Sequence, residues 1–341
     1  MRILLFLLQL GGEKLRESYY LFSSGKLKRE GNTICVINKN REKRFVPVEK
    51  VESLSIFGSV DFNSKLLEFL STQGITLHIF GHEENYVGTF YPRDKNISGC
   101  LRIKQVEYAT NKQKRLYIAT QIVHASIHNM VRVISPYAAN VDLSDHLTSL
   151  KTFREEACLA KNIEQLMGIE GNARRIYYDA LSLITGSDFK GRQKHPPKGQ
   201  LNALISFGNS LLYTETINRI YQTQLDPSIS YLHEPMQSRF SLALDIAEMF
   251  KPVIVDRVIT NLLNKNMLSD DDFDETFERT YLGEEGKKKF VQQFDARMKN
   301  TLYHPRLKRK VSYRKLIEME CYKLSKHILG LQNYQGFRVW W

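Results

Sequence analysis

The stretch "LRIKQVEYATNKQKRLYIATQIVHASIHNMVRVI" (Leu101–Ile134) decides the fold class. Its apolar residues recur at steps of three and four, the period of an amphipathic helix. The chain before it reads differently. "YYLFSSGKLKREGNTICVINKNREKRFVPVEKVESLSIFG" (Tyr19–Gly58) is made of short β-branched or alternating runs, such as "NTICVI" and "RFVPVE", broken by "SSGK", "REGN" and "NKNREK". Such clusters are turn signals. "DFNSKLLEFLSTQG" (Asp61–Gly74) predicts one short helix with Asp or Asn in front and Gly behind. "ITLHIF" and "NYVGTFYP" predict two more strands.

After Leu101 the helical period persists. It runs through "EACLAKNIEQLMGIEGNARRIYYDALSLI" (Glu156–Ile184), "NALISFGNSLLYTETINRIYQT" (Asn202–Thr223) and "HEPMQSRFSLALDIAEMFKP" (His233–Pro252). The expectation is an α+β two-domain protein. A mostly β domain covers residues 1–98 and an all-α domain covers 99–341.

The chain has 341 residues, with 49 Lys and Arg against 37 Asp and Glu, a formal net charge of +12. Such an excess favours a polyanionic partner, with nucleic acid ahead of an anionic membrane surface. Cys35, Cys100, Cys158 and Cys321 form no C-x-x-C pair, which excludes a sequence-local zinc ribbon and suits a reducing cytoplasm. The opening "MRILLFLLQLGGEK" is too short to cross a membrane. Gln9 interrupts it and no A-x-A site follows, so it reads as a first strand or a leader rather than an export signal.

Three acids stand where helices want apolar residues. In the run from Glu156, the stripe Leu159, Ile163, Leu166, Ala173, Tyr177 and Leu181 asks for an apolar residue at 170, and the sequence supplies Glu170 followed by Gly171. In the run from His233, a narrow polar stripe of Ser241, Asp245 and Glu248 faces Phe240, Leu242, Leu244, Ile246, Met249 and Phe250. Asp245 and Glu248 project from one face. His233 lies just upstream, after "LDPSISYL", a loop with Asp226-Pro227 as turn starter. Two readings stand. The acids are halves of structural ion pairs, with Arg174 or Arg239 as partners, and His233 is a hydrogen-bonded histidine. Or one His with two or three carboxylates holds Mg²⁺ or Mn²⁺, since hard cations prefer oxygen and Mn²⁺ tolerates an imidazole. On the second reading, removing a carboxylate with Glu248→Gln leaves or raises stability in chelator, because it relieves like-charge repulsion.

"HEPMQ" lacks the second His of H-E-x-x-H, and no Walker loop, G-x-G-x-x-G or G-x-S-x-G occurs. "SDDDFDETFE" lacks the glycine of a calcium loop and predicts a helix-entry cap.

In this order, "YYLFSSGKLKREGNTICV", "GTFYPRD", "LMGIEGNARRIYY", "PPKGQLNALISFGNSLLY", "LDPSISYLHEP" and "SLALDIAEMFKP" resemble the CRISPR-associated endonuclease family, the integrase of spacer acquisition. The resemblance implies a metal-dependent DNA endonuclease that inserts spacers when a 3′-hydroxyl attacks a phosphodiester at a CRISPR repeat. It implies Glu170, His233 and Glu248 as ligands of Mg²⁺ or Mn²⁺, with Asp245 beside them as a further catalytic acid. It also implies a homodimer formed through the β domain, protospacer and repeat DNA as partners, and a small ferredoxin-like companion protein. The family usually begins near Ser18, so the residues before it are additional. Some members have Asp where Glu248 stands. Candidate DNA contacts are Arg174, Arg175, Tyr178, Arg192, Lys194, Asn202, Arg306, Lys308 and Arg309, on the helix of Glu170, in "FKGRQKHPPKGQ" and just after it at Asn202, and in "YHPRLKRKVSYRK". Tyrosines interleave the last run and are expected to stack on bases. For any one of these runs a solvated surface is the rival reading. Two other functions compete: a metal-dependent nuclease that does not integrate, and a basic DNA-binding scaffold whose acids are only ion pairs.

Overall fold

The computed structural model describes residues 16–81, 86–93, 98–193, 196–235, 240–276 and 279–341. The opening apolar run, Lys194 and Arg239 lie outside them. The chain divides into two compact units, Met1–Lys95 and Asn96–Trp341.

The first unit holds strands β1 (Glu17–Leu21), β2 (Gly25–Glu30), β3 (Thr33–Asn38), β4 (Lys43–Pro47), β5 (Val51–Ile56), β6 (Val60–Asp61), β7 (Thr76–Phe80) and β8 (Tyr86–Phe90), with helix α1 (Ser64–Gln73) between β6 and β7. One sheet has the order β1-β5-β7-β8, and the other β4-β3-β2-β6. In the first, β1, β5 and β7 are parallel and β8 closes the edge antiparallel. Parallel neighbours need a crossover, and α1 lies in the one from β5 to β7. Asn63 caps α1 by accepting the Leu66 amide, and Gly74 ends it at φ 68°, a left-handed conformation that suits glycine. Tyr19, Leu21, Leu27, Ile34, Val36, Leu54, Leu66, Phe69 and Leu77 fill the core beneath both sheets.

The second unit is mostly helical: α2 (Gly99–Thr110), α3 (Lys112–Ile134), α4 (Ser144–Ala157), α5 (Ile163–Thr185), α6 (Gln200–Tyr221), α7 (Ser241–Lys251), α8 (Arg257–Asn264), α9 (Glu284–Lys299) and α10 (Tyr313–Ile328). It also contains two hairpins that the helical period does not reveal: β9 (Phe273–Glu275) with β10 (Thr280–Leu282), and β11 (Thr301–His304) with β12 (Arg309–Ser312). The unit is therefore not all-α. α6 is buried around nearly its whole circumference, as a helix apolar on all sides should be.

Local capping explains where the helices depart from the sequence reading. Asn111 sits at φ −82°, ψ 112°, and its side chain accepts the Gln113 and Lys114 amides, so Leu101–Ile134 is two helices rather than one. Asn162 accepts the Gln165 amide and starts α5 afresh. Leu159 therefore lies outside the helix at 74% exposure and is no part of the buried stripe. The helix predicted from His233 begins only at Ser241. In "SDDDFDETFE" a capping box does form at Ser269, but it caps a single 3₁₀ turn (Asp270–Asp272) that leads into strand β9 rather than a helix. Among the described residues, no helix is long and apolar enough to cross a membrane.

Candidate functional site

α7 buries Leu242, Ile246, Met249 and Phe250, each contributing roughly 1.5–3 kcal/mol by removal from water. The same burial encloses Asp245 and Glu248. Pro252 follows the helix and has no amide hydrogen for the Glu248 carbonyl four residues back. Ser126 of α3 supplies the missing donor, its Oγ lying 2.9 Å from that carbonyl. The chain then passes through one π-turn, Pro252–Asp256, before α8.

Asp245 is fully buried and saturated. Its Oδ2 accepts the Tyr231 and Leu232 amides at 2.6 and 3.0 Å. Its Oδ1 accepts the His233 amide at 3.0 Å and faces His233 Nδ1 at 2.8 Å. These four bonds use the lone pairs a carboxylate offers. In this arrangement Asp245 folds the 231–233 loop around itself and orients the imidazole. A carboxylate can only accept, so Nδ1 carries the proton and Nε2 is left free. Burial opposes charging the ring, but the bond and charge of Asp245 outweigh it and raise the His233 pKa. Arg115 of α3 holds the same loop from outside through the Tyr231 carbonyl at 2.8 Å and Glu234 at 3.1 Å.

Glu170 of α5 is partly exposed, its side chain at 16%, rather than buried on a seam. Arg174, one turn on, meets its Oε1 with Nε at 3.1 Å and Nη2 at 3.0 Å. Nη2 also pairs with Glu248 Oε2, and Lys251 Nζ pairs with Glu248 Oε1. Burial resists ionisation of Glu248, but Lys251, Arg174 and then His233 hold its pKa at about 2. The structure therefore brings Glu170 and Glu248 together around one guanidinium, with His233 near enough to act on Glu248 electrostatically. The sequence reading missed Lys251, Ser126, Arg115 and Asp256. Lys251 had a visible signal, a cation three residues after Glu248. Asp256 hides in the apolar run "PVIVD".

Asp256 is fully buried, and among the described residues neither carboxylate oxygen has a hydrogen-bond partner within 3.5 Å, although the Tyr177 hydroxyl is close enough to act on it. Arg174 Nη1 and the Tyr177 hydroxyl are likewise buried and without a partner within 3.5 Å. Burial pushes Asp256 up to about 7, against the opposing charge of Arg174 and the neighbouring Tyr177 hydroxyl.

The donor set fits a hard divalent cation in its chemistry. It offers two carboxylates and an imidazole whose Nδ1 is anchored so that Nε2 is free. Among the described residues, however, no three His, Cys, Asp or Glu side chains converge closely enough to hold an ion. Arg174 and Lys251 take Glu170 Oε1 and both Glu248 oxygens instead.

Several candidate DNA contacts are internal. Tyr178 is buried, its ring below the Arg174 guanidinium at 5.8 Å, and burial pushes its hydroxyl up to about 12. Asn202 is buried and ties the 191–198 loop to α6, donating to the Gly191 and Lys198 carbonyls at 3.0 and 2.9 Å. Arg192 turns inward to Asn202 and Ser206, both at 2.9 Å. Arg174 is committed to the two acids. Tyr313, one of the interleaved tyrosines, is core, whereas Tyr303 is exposed. Arg175, Arg306, Lys308 and Arg309 lie on the surface, the last three at the tip of the β11–β12 hairpin.

The family model described as CRISPR associated protein Cas1 matches residues 19–296. A protein named CRISPR-associated endonuclease Cas1 from Fusobacterium nucleatum is 44% identical over 335 residues, 97% of this chain and 99% of its own length. The protein of that name from Thermotoga maritima is 48% identical over 321 residues, covering 93% of this chain and 98% of its own. The solved structure of a CAS1 protein from Thermotoga maritima superposes with a TM-score of 0.86 at 45% identity, covering 94% of this chain and all of that one. A casposase bound to integration product shares the fold at 20% identity, with a TM-score of 0.79 over 93% of this chain and 92% of its own. The family match and these relatives make the chain a CRISPR-associated protein. Within that class, the chain belongs to the Cas1 family.

Proposed function

We propose that the chain is a metal-dependent DNA endonuclease and integrase that inserts short duplexes into a CRISPR array. One observation carries the reading: α5, α7 and the 231–233 loop gather Glu170, Glu248 and an oriented His233 in a single site. Glu170, Glu248 and His233 Nε2 would hold Mg²⁺ or Mn²⁺. Such an ion polarises the phosphoryl oxygen and offsets the charge that develops as the 3′-hydroxyl oxygen bonds to phosphorus and the bridging oxygen leaves. Asp245 keeps the imidazole in the useful tautomer. Arg175 and the Arg306–Lys308–Arg309 tip neutralise phosphates without reading sequence. A dimer through the β unit and a small ferredoxin-like companion complete the proposed assembly. The name of one structural relative, a Cas6-RT-Cas1–Cas2 complex, puts Cas2 with Cas1 in that assembly.

A second reading has its own observation. The acids are paired with Arg174 and Lys251, as in a DNA-binding scaffold with structural ion pairs. Incubating the protein and a duplex bearing free 3′-hydroxyls with a supercoiled CRISPR plasmid, in Mn²⁺ or in chelator, separates the readings. Joined products that need Mn²⁺ support the integrase. Nicked DNA without joining means a nuclease, and binding alone means a scaffold.

A further inference from the structure

We propose that Asp256 is the second counter-ion of Arg174: when a divalent cation takes Glu170 and Glu248, the guanidinium turns to Asp256, which thereby positions it and frees the two acids. This inference rests on the metal-dependent reading of the site.

Three observations carry it. Arg174 stands between the two glutamates and spends Nε and Nη2 on them, while Nη1 is buried and bonds nothing among the described residues. A divalent cation placed on this pair of carboxylates competes with the guanidinium for their oxygens and repels it, because both are cations. The Arg174 side chain is only 12% exposed and its Nη1 is buried, so losing both partners is costly and another anion within reach would stabilise it. Asp256 is that anion. It is fully buried, both its oxygens lack partners among the described residues, and Arg174 is the charge that acts on it most strongly. A buried polar group without a partner is rare enough to need an explanation. Here a partner that arrives in a second arrangement supplies one.

The local structure suits such an exchange. Asp256 closes the π-turn that follows α7, a distortion frequent at functional sites. Its position is therefore tied to the helix that carries Glu248. Tyr178 and Ser126 flank the guanidinium, the latter at 3.4 Å from Nη2, and the Tyr177 hydroxyl adjoins Asp256. Lys251, the other cation on Glu248, differs in kind. Its stem is flexible and its side chain is 17% exposed, so it can withdraw into water. Arg174, 12% exposed with Nη1 buried, carries a planar fork and has less room to withdraw.

The test is a calorimetric Mn²⁺ titration of the full chain, with Asp256→Asn, Arg174→Gln and the double variant beside it. Asp256→Asn is expected to weaken Mn²⁺ binding about 10–100-fold, the usual range for a residue that acts behind the ligands. Its melting temperature in chelator should change little, because neither Asp256 oxygen has a hydrogen bond within 3.5 Å among the described residues. In the Arg174→Gln background, Asp256→Asn should cause no further loss. The Mn²⁺-induced rise in melting temperature should shrink in Asp256→Asn, a readout that does not depend on Arg174→Gln folding. Wild-type affinity in Asp256→Asn, or an equal loss in both backgrounds, overturns the inference alone. A wild type that binds no Mn²⁺ overturns the metal reading with it.

Discussion

Glu248 shows how a single side chain can support two functional accounts. The sequence makes it one of three like charges in an apolar helix, and that picture expects Glu248→Gln to leave or raise stability in chelator. The structure pairs Glu248 with both Arg174 and Lys251, and these cations hold its pKa at about 2. The expectation is reversed. Glu248→Gln should lower stability in chelator by about 3 kcal/mol, the lower end of the cost of breaking a buried pair, read by denaturant unfolding. No loss would mean the pairs are incidental. His233 gives a second prediction. Asp245 raises its pKa against burial, so Asp245→Asn should lower it, as followed by imidazole NMR. A raised histidine contributes stability that is complete below its unfolded pKa of about 6.5 and fades as pH climbs through the folded value. The stability gap between wild type and Asp245→Asn should therefore be wider at about pH 5.5 than at about pH 9. A gap that stays constant with pH would show that Asp245 acts only through backbone amides.

Among the elements, α6 and the π-turn show what close packing demands. A β-carbon on Gly208 would stand 2.5 Å from Val255 Cγ1 and 2.7 Å from Phe290 Cζ. Gly208→Ala should cost about 1–3 kcal/mol by overpacking, seen as an earlier unfolding midpoint, and would move the turn that holds Asp256. An unchanged midpoint would contradict that packing. The sequence disclosed elements like α6 and α7, whose burial writes a strong helical period. It disclosed Glu170 because an acid interrupted such a period, although Leu159, part of the same stripe, lies beyond a break made by the Asn162 cap. That break was visible only as one polar residue in a run. The parallel order of β1, β5 and β7 follows from pairing between distant segments, which no local pattern records. Asp256 was hidden for a related reason. The four residues before it are all apolar or proline, "PVIV", and its influence on Arg174 arises only in the folded chain. The ion pairs were readable as an alternative, since Arg174 sits one turn after Glu170. Which acids it joins was not.

At the scale of the whole molecule, the net charge of +12 dominates expectation. DNA binding should weaken steeply with salt, because each neutralised phosphate releases counterions. Replacing Arg306, Lys308 and Arg309 with Ala should flatten the salt slope by about 0.9 for each phosphate that is no longer neutralised. An unchanged slope would exclude the hairpin tip from the interface. Everything proposed for the helical unit turns on whether its acids and histidine carry out cation-dependent strand transfer. That is read most directly as joining of a 3′-hydroxyl duplex to a CRISPR plasmid by wild type and Glu170→Gln, at matched folded concentration and in Mn²⁺. Wild type should yield joined product, and the variant should lose more than about 100-fold while still binding DNA. Joining by Glu170→Gln at the wild-type rate would contradict a role for this site in the chemistry.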